Sequence, residues 1–238
     1  MVTAVTHIHT HRSWDSRIRP ATLVPVLNEL GIDLALVTDH DTFAGSIEFA
    51  EHCRMEAPTI TVPVAAELRT DRGDVIVVFE PGTDPPPVER LLRWVDLIRI
   101  VPEMGGLVWL PHPFRGHSEP AELAERADVV EVFNARCTPR QNERARDLGG
   151  TAGKAAAYSV DAHRIREIPR AVVRYEDRGT VCETLRQDAI CENPVHSPKS
   201  DRMAAEITNG IKRGRPALAA YFALRYIRHR VRETVGRT

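Results

Sequence analysis

Short apolar runs alternate with amphipathic stretches along the first two-thirds of the chain, the pattern of repeated β/α units. The apolar runs predict strands over 3–7, 34–37, 60–65, 75–79, 107–110, 129–133 and 155–158. They are short and nearly all apolar, as parallel strands covered on both faces are. Helical spacing predicts helices near 21–30, 44–55, 88–100, 119–126 and 141–148. The first opens at Pro20 and ends at Gly31, with proline just inside the start and glycine just past the end. The proline-rich run 81–87 breaks the alternation and reads as a loop. Beyond about residue 170 the rhythm weakens, 193–200 reads as a linker, and the remainder reads as helix. The last helix carries Ala220, Leu224, Ile227, Val231 and Val235 on one stripe and Arg225, Arg228 and Arg232 on another. The expected organisation is one α/β domain over 1–192 and a basic helical extension over 193–238.

A chain of 238 residues with 42% hydrophobic content can bury a sizeable core. At 5% aromatic, that core rests on Val, Leu, Ile and Ala. The net charge of -1 conceals an asymmetry: from Lys199 onward ten Lys/Arg face three Asp/Glu, so the preceding residues carry the compensating negative excess. An acidic body suits a site that gathers cations. A basic tail suits an anionic partner or a solvated helix face. Cys53, Cys137, Cys182 and Cys191 show no C-x-x-C spacing, which argues against a zinc knuckle or a disulfide framework. The N-terminus lacks a signal-peptide pattern, and no run approaches the ~20 apolar residues of a membrane span. A cytoplasmic protein without membrane partners is expected.

The polar residues just after the expected strands change the picture. The first gives His7-Ile8-His9, the second Thr38-Asp39-His40-Asp41, the third Glu67, the fifth His112-Pro113, the sixth Asn134 and the seventh Asp161-Ala162-His163. A lone His-x-His is commonly surface decoration. Ligand types after five or six separate strands are another matter, because parallel strand ends converge on one face. In an extended strand His7 and His9 point to the same side, as the period of two requires. Carboxylates with neutral imidazoles suit Zn²⁺, Mn²⁺ or Fe²⁺.

These segments, with His112-Pro113-Phe114-Arg115 and the 129–136 run followed by Asn142, resemble in order the signatures of the polymerase-and-histidinol-phosphatase (PHP) superfamily. The resemblance spans roughly residues 3–170. It implies a distorted seven-stranded TIM-like β/α barrel with two or three divalent metal ions. It carries metal-ligand roles to His7, His9, His40, Glu67, His112, Asp161 and His163. The family also places an Asp or His shortly after His-x-His, for which Asp15 is the candidate and His11 the rival. Three departures stand out: Val5 where Asp is usual, Ser159-Val160 where Gly-Ser is usual, and Asp74 after Gly73 where many members have His. Asp74 reads equally as a metal ligand and as a turn residue.

Metal ions held 3.5–4 Å apart acidify water and neutralise a phosphoryl group under attack. The expected activity is hydrolysis of a phosphate ester, probed by a planar guanidinium fork. Arg115 is the first candidate for substrate binding, with Arg17, Arg136 and Asn134 behind it. His11 or Asp41 is the expected proton donor to the leaving group. A small phosphomonoester or nucleotide is the expected substrate. The alternatives are a nuclease acting on RNA or single-stranded DNA ends through the basic tail, and a degenerate, non-catalytic binding module.

Overall fold

The computed structural model describes residues 1–235; the side chains of Arg232 and Val235 lie outside the described residues. Eight strands appear: β1 (Val2–Ile8), β2 (Leu34–Val37), β3 (Val64–Thr70), β4 (Gly73–Phe79), β5 (Leu107–Leu110), β6 (Val129–Asn134), β7 (Ala155–Ser159) and β8 (Val172–Tyr175). The helices are α1 (Pro20–Glu29), α2 (Ala44–Glu56), α3 (Trp94–Glu103), α4 (Pro120–Arg126), α5 (Pro139–Ala152), α6 (Val181–Leu185), α7 (Lys199–Lys212) and α8 (Pro216–Val235). Short 3₁₀ turns occupy Val88–Leu91 and Ile165–Arg170.

The expected seven-stranded parallel barrel takes a different form. The molecule is mixed α/β, with a three-stranded sheet ordered β2-β1-β8 and a five-stranded sheet ordered β3-β4-β5-β6-β7. Their edges meet through isolated bridges, Leu34 with Thr61, His40 with Glu67, and Ile8 with Ala162. Among the described residues the ladder is therefore not continuous around the ring. β4 runs antiparallel to both β3 and β5. Only Asp71 and Arg72 separate β3 from β4, and so short a link makes a hairpin, whereas a parallel crossover needs a dozen or more residues. β3 also begins after Pro63, later than the apolar run at 60 suggests, because proline cannot donate to a ladder. β8 and α6 lie in the stretch where the sequence rhythm weakens.

The inner faces of both sheets form one core. Trp109 and Tyr175 fill it, and the small residues Ala4, Ala65 and Ala157 make room for them. α1 and α2 pack on the β1–β2 side through Leu23, Leu27 and Phe49; α3 and α4 cover β4–β6 through Leu97, Val101 and Leu123. Each such buried side chain contributes roughly 1.5–3 kcal/mol. α5 is capped at both ends: Thr138 and Gln141 form a capping box, Pro139 opens it, and Gly153 closes it with a left-handed backbone. No helix among the described residues is long and apolar enough to cross a membrane.

Candidate metal centre

The backbone prepares the site before any side chain reaches it. Among the described residues five non-glycine positions have positive φ: His7 (65°), Asp41 (53°), His112 (29°), Asp161 (48°) and Glu119 (53°). The first four lie at strand ends that face one another. Such conformations cost of order 1–3 kcal/mol each and gather where function demands a particular aim. At His7 the pairing of β1 with β2 slips by one residue, a bulge between Thr6 and Ile8. The convergence of His7 and His9 thus comes from a left-handed bulge, not from the plain alternation expected of an extended strand.

Glu67 sits at the centre. Its Oε2 lies 3.3 Å from His7 Nε2, 3.3 Å from His9 Nε2 and 3.1 Å from His40 Nδ1, and its Oε1 lies 2.9 Å from His112 Nε2. Asp161 Oδ1 is 3.8 Å from His7 Nε2 and 3.5 Å from His9 Nε2. Asp15 Oδ2 joins His163 Nε2 at 2.8 Å and His40 Nε2 at 3.4 Å. Four overlapping groups result, each with ligand atoms within 4.8 Å of one another: His9-Asp15-His40-His163, His7-His112-Asp161, His7-His9-Glu67 and Glu67-Asp74-His112.

These atoms fit a cation on chemical grounds. His7 Nε2, His9 Nε2, Glu67 Oε2, Asp161 Oδ1 and Asp15 Oδ1 are buried, and none has a hydrogen-bond partner. Buried polar atoms without partners are costly, and a cluster of them around one point calls for an ion. Their orientation is set from behind. Glu131 Oε1 accepts from His7 Nδ1 at 2.7 Å, which turns the His7 Nε2 lone pair inward. Ser13 Oγ donates to Asp39 Oδ1 at 2.6 Å and so accepts from His9 Nδ1 at 3.2 Å, turning His9 Nε2 inward as well. Asn134 Nδ2 donates to Glu131 Oε2 at 3.0 Å and to Asp161 Oδ2 at 3.2 Å.

The charge pattern follows. Burial opposes a charged His7, yet Glu131, Asp161 and Glu67 together hold its pKa well above the ordinary histidine value. Burial, with His163 and His40 nearby, pushes His9 down to about 3. Burial also opposes charge on His40, but Glu67 and Asp15 raise it to about 9. Desolvation would lift the acids; His7 and His40 overcome it at Glu67, Arg115 and His7 at Asp161, and His163 and His40 at Asp15, so all three carboxyls sit well below their usual range.

The structure brings His7, His9, Asp15, His40, Glu67, Asp74, His112, Asp161 and His163 into these groups. Asp74 also accepts from Arg69 Nε at 3.1 Å. The other expected site residues stand elsewhere or behind the ligands. Arg115 donates to Asp161 Oδ2 at 2.6 Å, and Arg136 donates to His163 Nδ1. Arg17 lines a cleft beside α7. Asp41 accepts from the Arg69 backbone N–H at 2.7 Å, and His11 lies 3.6 Å from Glu48 on α2. Asp39 takes the N–H and hydroxyl of Thr10 at 2.6 and 2.5 Å and the Ser13 N–H at 3.1 Å, holding the loop that follows β1. Gly45 is required beside it, because a Cβ there would lie 1.6 Å from Asp39 Oδ2.

No family model matches this chain. It is 30% identical to the uncharacterized protein MJ1587 of Methanocaldococcus jannaschii over 145 residues, 54% of this chain and 80% of MJ1587. It is 30% identical to MJ0417 of the same organism over 138 residues, 53% of this chain but only 56% of MJ0417's length. Two solved structures share the fold. One is a two-domain Bacteroides vulgatus protein described as containing a predicted PHP-like metal-dependent phosphoesterase (TM-score 0.61, 15% identity, 81% of this chain and 65% of that one). The chain belongs to the family of MJ1587 and shares the fold of the Bacteroides vulgatus protein. The other is PsfC of Pseudomonas syringae (TM-score 0.60, 16% identity, 90% and 98% coverage).

Several residues at the site escape a reading of the sequence. Glu131 sits in an apolar strand and looks like an ordinary strand position, although it orients His7 and accepts the His112 N–H at 2.9 Å. Trp14 stacks on His40, rings 4.4 Å apart and 8° from parallel, with Arg213 over it at 5.0 Å. His117 lies 5.6 Å from His112 and donates from Nε2 to the Asp74 carbonyl at 2.6 Å. The only advance signal was the 129–136 segment, which pointed to the right strand for Glu131.

Proposed function

We propose that this protein is a metal-dependent hydrolase of phosphate esters, acting on a small phosphomonoester or nucleotide. The observation that carries this reading is the meeting of His7 Nε2, His9 Nε2, Glu67 Oε2 and Asp161 Oδ1, buried, unpaired and within 3.3–3.8 Å along the measured pairs. His7, His9, Asp15, His40, Glu67, Asp74, His112, Asp161 and His163 would hold two or three Mn, Zn or Fe ions. When bound, such ions supply Lewis acidity toward phosphoryl oxygens and an acidified water.

The chain's own residues do the rest. Glu131 and Ser13 hold two imidazoles in the tautomer that presents Nε2. Arg115, with its side chain 37% exposed, is the cation at the rim that meets the incoming phosphoryl group. Arg136 and Asn134 act from behind, keeping His163 and Asp161 aimed. His11 or Asp41 is the proton donor to the leaving group; His11 lies 3.6 Å from Glu48, and Asp41 accepts the Arg69 N–H through Oδ1.

The test counts metal atoms per chain by elemental analysis, with His40→Ala beside the parent, and follows phosphate release from a panel of esters. Two or three divalent ions per chain, fewer in the variant, with turnover lost on chelation and restored by Mn²⁺ or Zn²⁺, is the expected result. A chain that takes up no metal from excess Mn²⁺ sinks the proposal.

A further inference from the structure

Helix α7 runs beside the metal centre and is tied down at both ends. At its first turn the fully buried Asp201 accepts from Arg166 Nε at 2.7 Å and lies 3.7 Å from Arg164. Next to it, Arg202 donates to the Arg136 carbonyl at 2.9 Å. At its last turn the Lys212 ammonium donates to the carbonyls of His11, Ser13 and Ser16 at 2.8, 2.7 and 2.7 Å, a grip on the loop that carries Asp15. α8 backs α7 so closely that a Cβ on Gly210 would lie 2.6 Å from Ala219 N. Between the two anchors a cleft of about 660 Å³ separates the helix from the body. Helix and body are each held, so the cleft cannot simply close.

Asp15 and His163, both members of one four-residue group of the metal centre, belong to its lining. Its walls are mainly apolar, Ile18 and Ile165 from the body, Ala204, Ile207 and Ile211 from α7, and Tyr226 from α8, with the hydroxyls of Thr22 and Thr208 among them. The α7 residues recur at three and four positions, which places them on one helix face. Arg17 and Arg164 are the cations of the lining.

We infer that this cleft is the subsite for the organic group of the phosphate ester, and that this group is apolar and ring-sized. The inference rests on the phosphoesterase reading above. A phosphoryl group at the metal ions that Asp15 and His163 would hold leaves its ester substituent beside this cleft, whose walls are mainly isoleucine, alanine and tyrosine. A cleft of this size falls within the range for small organic ligands. A polyol substituent would lose water at the four isoleucines, where no partner replaces it. Arg17 and Arg164 favour an anionic ester over a neutral one. α7 is thereby the specificity wall of the site.

The test separates binding from turnover, using the full chain loaded with Mn²⁺. Non-hydrolysable 1-naphthylphosphonate and methylphosphonate are titrated by calorimetry, and hydrolysis of 1-naphthyl phosphate and glycerol phosphate is followed in parallel. The naphthyl compound should bind about tenfold or more tightly than the methyl one, as apolar contacts of this size discriminate. Ile207→Trp, which fills the cleft, should remove that preference, and Ala204→Trp should do the same should the first variant fold poorly. Equal binding of the two phosphonates, or a parallel loss for both in the variants, overturns the cleft as subsite. Tight naphthyl binding without hydrolysis of either ester leaves the cleft standing and overturns the phosphoesterase reading.

Discussion

The acids at the two ends of the strands behave differently. At the amino ends, Asp33 accepts the Thr3 N–H, Asp128 the Val108 N–H and Asp188 the Ala156 N–H, each at 2.8 Å. Glu80 likewise accepts the N–H groups of Val181 and Cys182 at 3.0 and 2.8 Å at the start of α6. At the carboxyl ends, Asp15, Glu67 and Asp161 each keep a buried oxygen with no hydrogen-bond partner. Both sets are carboxylates at strand ends. The first set is satisfied by the fold itself and fixes where strands begin, whereas the second lacks partners in the fold and is the set proposed to hold a cation. Between these two sets, hydrogen bonding and not residue type makes the difference.

The largest expected effect lies at the unsatisfied end. Asp161→Asn keeps the shape but removes the charge facing His7 and His9, so turnover should fall by about a thousandfold or more, as for a member of a catalytic unit. Phosphate release, measured beside metal content, checks it; near-parental turnover would erase the contrast between the two ends. Next, Glu131→Gln should weaken metal affinity about 10–100-fold, because the carboxylate that orients His7 is lost. Calorimetric titration with Mn²⁺ checks it, and unchanged affinity would demote Glu131 to a packing residue.

Acidity sharpens the comparison further. The folded-state pKa of His7 and His40 is raised, to about 9 for His40, so their stabilisation of the metal-free protein is full below about 6.5 and is lost as pH rises through the folded values. His9, lowered to about 3, works the other way: its neutral form is buried, and stability is lost as pH falls from about 6.5 toward 3. Thermal melts of the chelated protein should therefore peak near pH ~6.5 and fall on both sides. With metal added the alkaline fall should vanish, since the ion replaces the proton on His7. A flat profile in the chelated protein would contradict the charge pattern. The smallest effect belongs to the satisfied end: Asp33→Ala and Asp128→Ala should each cost about 1 kcal/mol of stability and leave metal content unchanged. Loss of metal in either variant would break the division.

Much of the site is legible in the chain because ligand residues rarely interrupt apolar strand ends by accident. His7, His9, His40, Glu67, His112, Asp161 and His163 stand out for that reason, and their order alone supports the family resemblance. Asp39 and Asp41 carry the same signal but face Thr10 and Arg69, since the backbone turns left-handed at Asp41. Arg115 and Arg136 read as substrate-binding cations, and in the fold they also touch the candidate ligands Asp161 and His163. β4 reads as one more parallel strand, because pattern does not encode strand direction; the two-residue link at Asp71 and Arg72 does.

Periodicity and residue chemistry, which act over a few positions, determine by themselves the α/β class, most element positions and the inventory of metal-ligating types. Only the tertiary structure decides which of those residues share a point in space. The bulge at His7 re-aims an imidazole, Glu131 reaches back 124 residues to orient it, and Lys212 closes a loop 196–201 residues away. Those contacts depend on how sheets and helices pack against one another, and pairings across such separations leave no local trace in the order of residues.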